Sequence, residues 1–226
     1  MPTLEVNGLT VHFSELGIGE EVVLVHGGNT SGRFWHNLSS ALKDAYRLLA
    51  IDLYGCGGTD PWPATGYPSH DEEAELVRAL IDSLRGPVHL VGHSYGAAVC
   101  LRAALTHRAR LHSLTLVEPT AYLLLEQARQ RLRETTELMI GGFRANSNNP
   151  TRLAECRQLG LPTLLIRGEK TVLPEAHMSE ILARNIPGAR LEVIRAAGHM
   201  SPQTHPAEVG AAIKAHLLNS RDRQGN

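Results

Sequence analysis

The sequence predicts an α/β fold with a mostly parallel central sheet and helices on both faces. Three observations carry that prediction. Short apolar runs end in glycines or proline, as buried parallel strands do: "EVVLVHGG", "YRLLAIDLYGCGG", "PVHLVGHS". Between them lie stretches whose apolar residues recur at helical spacing. The two kinds of segment alternate along most of the chain, which builds a sheet through right-handed crossovers.

Each element follows in order. "LEVNGLTVHFSELG" has alternating apolar residues on either side of Asn7-Gly8, a dipeptide suited to a tight hairpin turn. After the strand at "EVVLVHGG", residues 33–43 fit a helix with Trp35, Leu38 and Leu42 on one face. "YRLLAID" is the next buried strand. "SHDEEAELVRALIDSL" opens with Ser69 ahead of three acids, the signature of a helix N-terminus. Strand "PVHLVGHS", helix "YGAAVCLRAALTH" and strand "LHSLTLVEPT" follow, the last stopped by Pro119.

The alternation lapses between about 119 and 160. Leu125, Ala128, Leu132, Thr135 and Met139 share a helical face, "GGFRANSNNP" reads as a loop, and a short helix is expected near "TRLAECRQLG". This segment is expected to be an insertion over one end of the sheet, within a single domain spanning 1–226. Tyr122, Leu123, Leu124, Met139 and Phe143 could line a pocket there or pack as core. Strand "PTLLIRG", helix "EAHMSEILARNI", strand "ARLEVIRAAG" and helix "PAEVGAAIKAHLL" resume the pattern.

Composition narrows the function classes. The 226 residues are 42% hydrophobic and carry a formal charge of -1, so neither nucleic acid nor an anionic membrane is an expected partner. The basic stretch "RQRLRET" alternates with Glu126, Glu134 and Glu137 and reads as a solvated helix face. Cys56, Cys100 and Cys156 are sparse and odd in number, which points to reduced thiols in a cytoplasmic protein. "MPTLEVNGLT" has no basic head or apolar signal core, and no apolar stretch approaches the ~20 residues that span a bilayer. A monomer or small homo-oligomer acting on a small molecule is expected.

The chemistry concentrates in three places. In "GHSYG", Ser94 lies between Gly92 and Gly96, after a strand and before a helix. A nucleophile on a sharp strand-to-helix turn needs small residues two places either side, because neighbouring chains press on it. The turn also puts Ser94 at a helix N-terminus, which favours negative charge. "HGGN" ends an earlier strand, and its glycines let backbone N–H groups turn toward an oxyanion. The expected donors are the N–H groups of Gly28 and Tyr95, with His26 ordering the loop. His199, in "AAGHMSP", follows the last strand and is the expected base. Of the other histidines, His93 lies inside the elbow and points away from Ser94's side, His89 is within a strand, and His205 and His216 belong to the final helical region.

With "VHGGN", "IDLYGCGGTD", "VGHSYGAA", "PTLLIRGE" and "AAGHMSPQTHP" in this order over residues 22–206, the chain resembles the α/β-hydrolase family, in its single-domain, esterase-like, capped form. The resemblance implies a serine–histidine–acid triad, an eight-stranded sheet, no cofactor, and a cap that shapes the pocket. The serine nucleophile speaks against the aspartate-using dehalogenase and epoxide hydrolase branches.

One departure matters. The family usually carries its acid three residues past the glycine of "PTLLIRG", and here that position is Thr171, which cannot stabilise an imidazolium as a carboxylate does. Glu118, at the end of "TLVE", is the expected acid, because the carboxyl ends of parallel strands cluster on one rim. Glu169 is the second candidate. Asp52 and Asp60 are expected to order "DLYGCGGTD". The expected activity is therefore hydrolysis of an ester, thioester or lactone through an acyl-enzyme, without cofactor or metal. Carbon–carbon bond hydrolysis in a β-diketone-like substrate and ligand binding by a triad-deficient homologue are the alternatives.

Overall fold

The computed structural model describes residues 2–120, 151–173 and 175–222. Eight strands form one sheet: β1 (Thr3–Val6), β2 (Leu9–Leu16), β3 (Glu20–Val25), β4 (Tyr46–Ile51), β5 (Val88–His93), β6 (Leu111–Val117), β7 (Thr163–Gly168) and β8 (Arg190–Ile194). Their spatial order is β1-β2-β4-β3-β5-β6-β7-β8. β2 runs antiparallel to β1 and β4, and the remaining neighbours are parallel. Asn7 and Gly8 form the two-residue hairpin, both with positive φ (51° and 79°), as a type I′ turn demands.

The described helices are α1 (His36–Leu42), α2 (His70–Ser83), α3 (Tyr95–His107), α4 (Leu153–Cys156), α5 (Glu175–Asn185), α6 (Ser201–Thr204) and α7 (Pro206–Asp222). The helix expected over 33–43 enters through a 3-10 turn at Gly32–Trp35. There Asp52 Oδ1 accepts the N–H of Gly32 at 2.7 Å and fixes the entry. At α2, the Ser69 hydroxyl accepts from the N–H of Glu72, and the Glu72 carboxylate accepts from the N–H of Ser69. This reciprocal cap satisfies two donors that a helix start otherwise leaves open.

Strand alternation sorts the apolar residues into two cores. Val23, Val25, Leu49, Ile51, Leu90, Leu116 and Leu165 face α2, α3 and α5. Their neighbours Val22, Leu24, Leu48, Ala50, Val91, Val117, Leu164 and Ile166 face α1 and α7. The near-continuous apolar runs in the sequence are thus strands covered on both faces. Trp35, Leu38 and Leu42 fill the second core, as their spacing predicts. Truncating a fully buried leucine such as Leu38 to alanine costs about 2–5 kcal/mol.

Of the expected cap, residues 119–120 and 151–160 are described. They hold α4, whose Cys156 is buried in the first core, and a buried Thr151. The amphipathic helix around 125–139, the basic stretch, the Gly/Asn loop and the pocket residues from Tyr122 to Phe143 lie outside the described residues. No described helix is long and apolar enough to cross a membrane.

Candidate active site

The turn from β5 into α3 holds Ser94 at φ 54°, ψ −119°, a backbone conformation that non-glycine residues avoid. Backbone bonds enforce it. The N–H of Ser94 donates to Val117 O (2.9 Å), and Ser94 O accepts from the N–H groups of Ala97 (3.0 Å), Ala98 (3.4 Å) and Thr120 (3.4 Å). The flanking glycines are required by contact. A Cβ on Gly92 would sit 2.5 Å from Gly96 O and 2.6 Å from Cys100 Sγ, and one on Gly96 would strike the carbonyls of His26 and Val25. Glycine therefore allows β5, α3 and the end of β3 to close on the serine.

His199 comes from the segment after β8, and its Nε2 lies 3.0 Å from Ser94 Oγ. That segment is fastened on several sides. Glu169 Oε2 accepts the N–H of Ala196, which has φ 61°. Ala197 O accepts from Lys170 N–H. His93 Nε2–H donates to the carbonyl of His199 at 2.9 Å. The ring of His93 is stacked on Phe34 with centroids 4.5 Å apart, and burial lowers its pKa to about 3. His93 is thus a neutral donor that ties the strand carrying the serine to the backbone of the histidine. The sequence gives no sign of this bond.

Glu118 follows β6 directly, with φ 51°, and is fully buried. Its N–H donates to Ile166 O on β7 (2.8 Å). Oε1 accepts from the N–H of Gly168 (2.5 Å) and from the hydroxyl of Thr171 (2.8 Å). Oε2 faces His199 Nδ1 at 3.8 Å, beyond hydrogen-bond distance. Ser94, His199 and Glu118 therefore lie in line at the C-terminal edge of the sheet. Glu169 points elsewhere, to Ala196. Thr171, at the position where the resemblance implies an acid, meets the carboxylate of Glu118.

The "HGGN" loop lies over the elbow. A Cβ on Gly27 would sit 3.2 Å from Ser94 Cβ and 2.9 Å from His93 Nδ1, and one on Gly28 would sit 3.8 Å from Tyr95 Cβ. His26 orders this loop. Its Nδ1–H donates to Gly27 O (2.7 Å), its Nε2 accepts the N–H of Leu53 (3.1 Å), and burial lowers its pKa. Tyr95 is the first residue of α3, where an amide has no acceptor within the helix. Asp52 accepts from Gly32 and Gly58, and Asp60 from Thr10, so both order loops as expected.

Beside Tyr95 lies a group of residues that the sequence did not single out. Glu73 of α2 is buried, accepts the N–H of Tyr54 (3.3 Å), and has its pKa pushed up to about 8 by burial. The ring of His70 is 5.0 Å from that of Tyr95, and burial lowers its pKa to about 4. An acid in the first turn of a helix reads as an N-terminal signal until its burial is known.

Residues 22–146 match the model of the Alpha/beta hydrolase family. The chain belongs to that family. A cis-3-alkyl-4-alkyloxetan-2-one decarboxylase of Shewanella oneidensis is 30% identical over 168 residues, covering 73% of this hydrolase-family chain and 47% of the relative. A pimeloyl-[acyl-carrier protein] methyl ester esterase of Aeromonas hydrophila is 35% identical over 111 residues, covering 48% and 41%. The matches thus span less than half the length of these two curated relatives. Among solved structures, a thermophilic esterase from Thermogutta terrifontis aligns with a TM-score of 0.76 and 25% identity over 96% of this chain and 97% of that one.

Proposed function

We propose that this alpha/beta hydrolase family member is a serine hydrolase of small ester-like carbonyl substrates, acting through an acyl-enzyme. The carrying observation is the 3.0 Å approach of His199 Nε2 to a serine hydroxyl on a strained elbow. An isolated serine is a weak nucleophile, and an adjacent imidazole activates it. Ser94 Oγ attacks the carbonyl carbon while its proton passes to His199 Nε2. The N–H groups of Gly28 and Tyr95 stabilise the resulting oxyanion. The carbon–oxygen bond of the ester breaks, and His199 returns the proton to the departing alkoxide. Water then attacks the acyl-enzyme and gives its proton to His199; the bond to Ser94 Oγ breaks, that oxygen takes the proton back from His199, and the carboxylic acid product leaves. Glu118 holds the tautomer with the proton on Nδ1 and stabilises the imidazolium formed in each half-reaction.

Two of the relatives bear names that fit this reading: a methyl ester esterase, and a decarboxylase of an oxetan-2-one, which is a cyclic ester. The segment at about 119–160 serves in this reading as a cap that shapes the pocket within one domain. The cysteines stand as free thiols, which fits a cytoplasmic working compartment.

A panel of short acyl p-nitrophenyl esters and lactones tests the proposal. Wild-type protein turns over at least one of them, and Ser94→Ala does not. Binding without turnover, or equal turnover by Ser94→Ala, overturns the proposal, and the first outcome favours a ligand-binding protein.

A further inference from the structure

We infer that Thr171 is a positioning residue for Glu118: its hydroxyl, with the N–H of Gly168, holds Oε1 so that Oε2 stays turned to His199. The inference rests on the proposed function, because it presumes that Glu118 orients the base. Four observations carry it. Thr171 Oγ1 and Gly168 N converge on the same carboxylate oxygen, at 2.8 and 2.5 Å. The other oxygen has no hydrogen-bond partner among the described residues and lies 3.8 Å from His199 Nδ1, which has none either. Both Glu118 and Thr171 are buried, so water cannot readily substitute for the hydroxyl. Finally, Gly168 O accepts the N–H of Thr171, so both donors belong to one closed turn at the end of β7.

A carboxylate is an acceptor with two equivalent oxygens, and a glutamate reaches its target through three rotatable bonds. One donor on Oε1 leaves the head group free to swing about that contact. Two donors from different directions fix its plane. The unsatisfied oxygen is then turned toward the imidazole Nδ1, which also lacks a hydrogen-bond partner among the described residues. The threonine hydroxyl is a suitable second donor because it adds no charge to compete with the imidazolium. A carboxylate at residue 171 would repel Glu118 across the same 2.8 Å. A merely structural role would instead mean that Thr171 satisfies a buried glutamate and nothing more.

A double-mutant cycle on ester turnover separates these roles. Thr171→Val removes the hydroxyl and keeps the branched shape. A hydrogen bond to a charged group corresponds to a loss of about tenfold to a hundredfold in kcat, with KM nearly unchanged. Thr171→Ser recovers most of that loss. In a Glu118→Gln background, the further change Thr171→Val costs little, because no carboxylate remains to be positioned. Circular dichroism and Tm accompany each variant, and Thr171→Ala supplies the same cycle if Thr171→Val does not fold. Wild-type kcat in folded Thr171→Val, or losses that multiply independently in the double variant, overturns the inference while leaving the triad intact. Full activity in Glu118→Gln instead overturns the proposed acid itself.

Discussion

The elbow stores strain that a single pair of variants can measure. Ser94 sits at φ 54°, ψ −119°, held by bonds to Val117, Ala97 and Thr120. Backbone in such a region costs about 1–3 kcal/mol for a residue with a side chain. Ser94→Ala and Ser94→Gly both remove the hydroxyl contact with His199, so comparing them cancels that loss. Only glycine relieves the Cβ clash, against its own entropic penalty of about 0.5–1 kcal/mol. The difference leaves Ser94→Gly more stable than Ser94→Ala by about 0.5–2 kcal/mol. At about 2–4 °C per kcal/mol for a chain of this size, its Tm should lie roughly 1–8 °C higher. Differential scanning calorimetry measures this directly. A Tm for Ser94→Gly equal to or below that of Ser94→Ala would falsify the claim that the surrounding fold imposes the elbow against local preference.

Three further outcomes follow from the same geometry. Glu118→Gln should lower kcat by up to about 10⁴ with the fold intact, whereas Glu169→Gln, which touches Ala196, should lose far less; comparable losses would contradict the assignment. His93→Phe keeps an aromatic ring against Phe34 but removes the donor to His199 O, so kcat should fall by about tenfold, and unchanged kinetics would mean that this bond does not position the base. Burial pushes the pKa of Glu73 up to about 8 in the fold from the ordinary carboxyl value of 4.5, so the folded state keeps a proton that the unfolded chain releases; its contribution is fully present below pH 4.5 and is lost as pH rises through 8. Glu73→Gln removes that loss, and its Tm advantage over wild type should grow between pH 5 and pH 8; a constant difference would show that Glu73 is ionised in the fold.

The elements were legible because burial writes its own period into the chain. Strands covered on both faces appear as unbroken apolar runs, and α2 announces itself through Ser69 and the acids behind it. α6 (Ser-Pro-Gln-Thr) was not legible, because four residues carry no apolar repeat. At the site, Ser94 and His199 could be read from turn chemistry and chain order. The conversion of position 171 from carboxylate to hydroxyl was visible as a departure, and the strand ends pointed to Glu118. That Thr171 donates to Glu118 was not visible, since the contact joins residues 53 positions apart through the register of β6 and β7. His93 escaped for a related reason. A histidine at the end of a buried strand reads as core until the carbonyl it reaches, 106 residues on, is known.

The proposed chemistry rests on the activation of Ser94 by His199. It is tested most directly by labelling intact protein with a fluorophosphonate probe and mapping the adduct by mass spectrometry. One adduct per chain is expected, on the Ser94 peptide, and its formation should slow by orders of magnitude in His199→Ala. Absence of an adduct under conditions that label a control esterase, or a rate unaffected by His199→Ala, would contradict it.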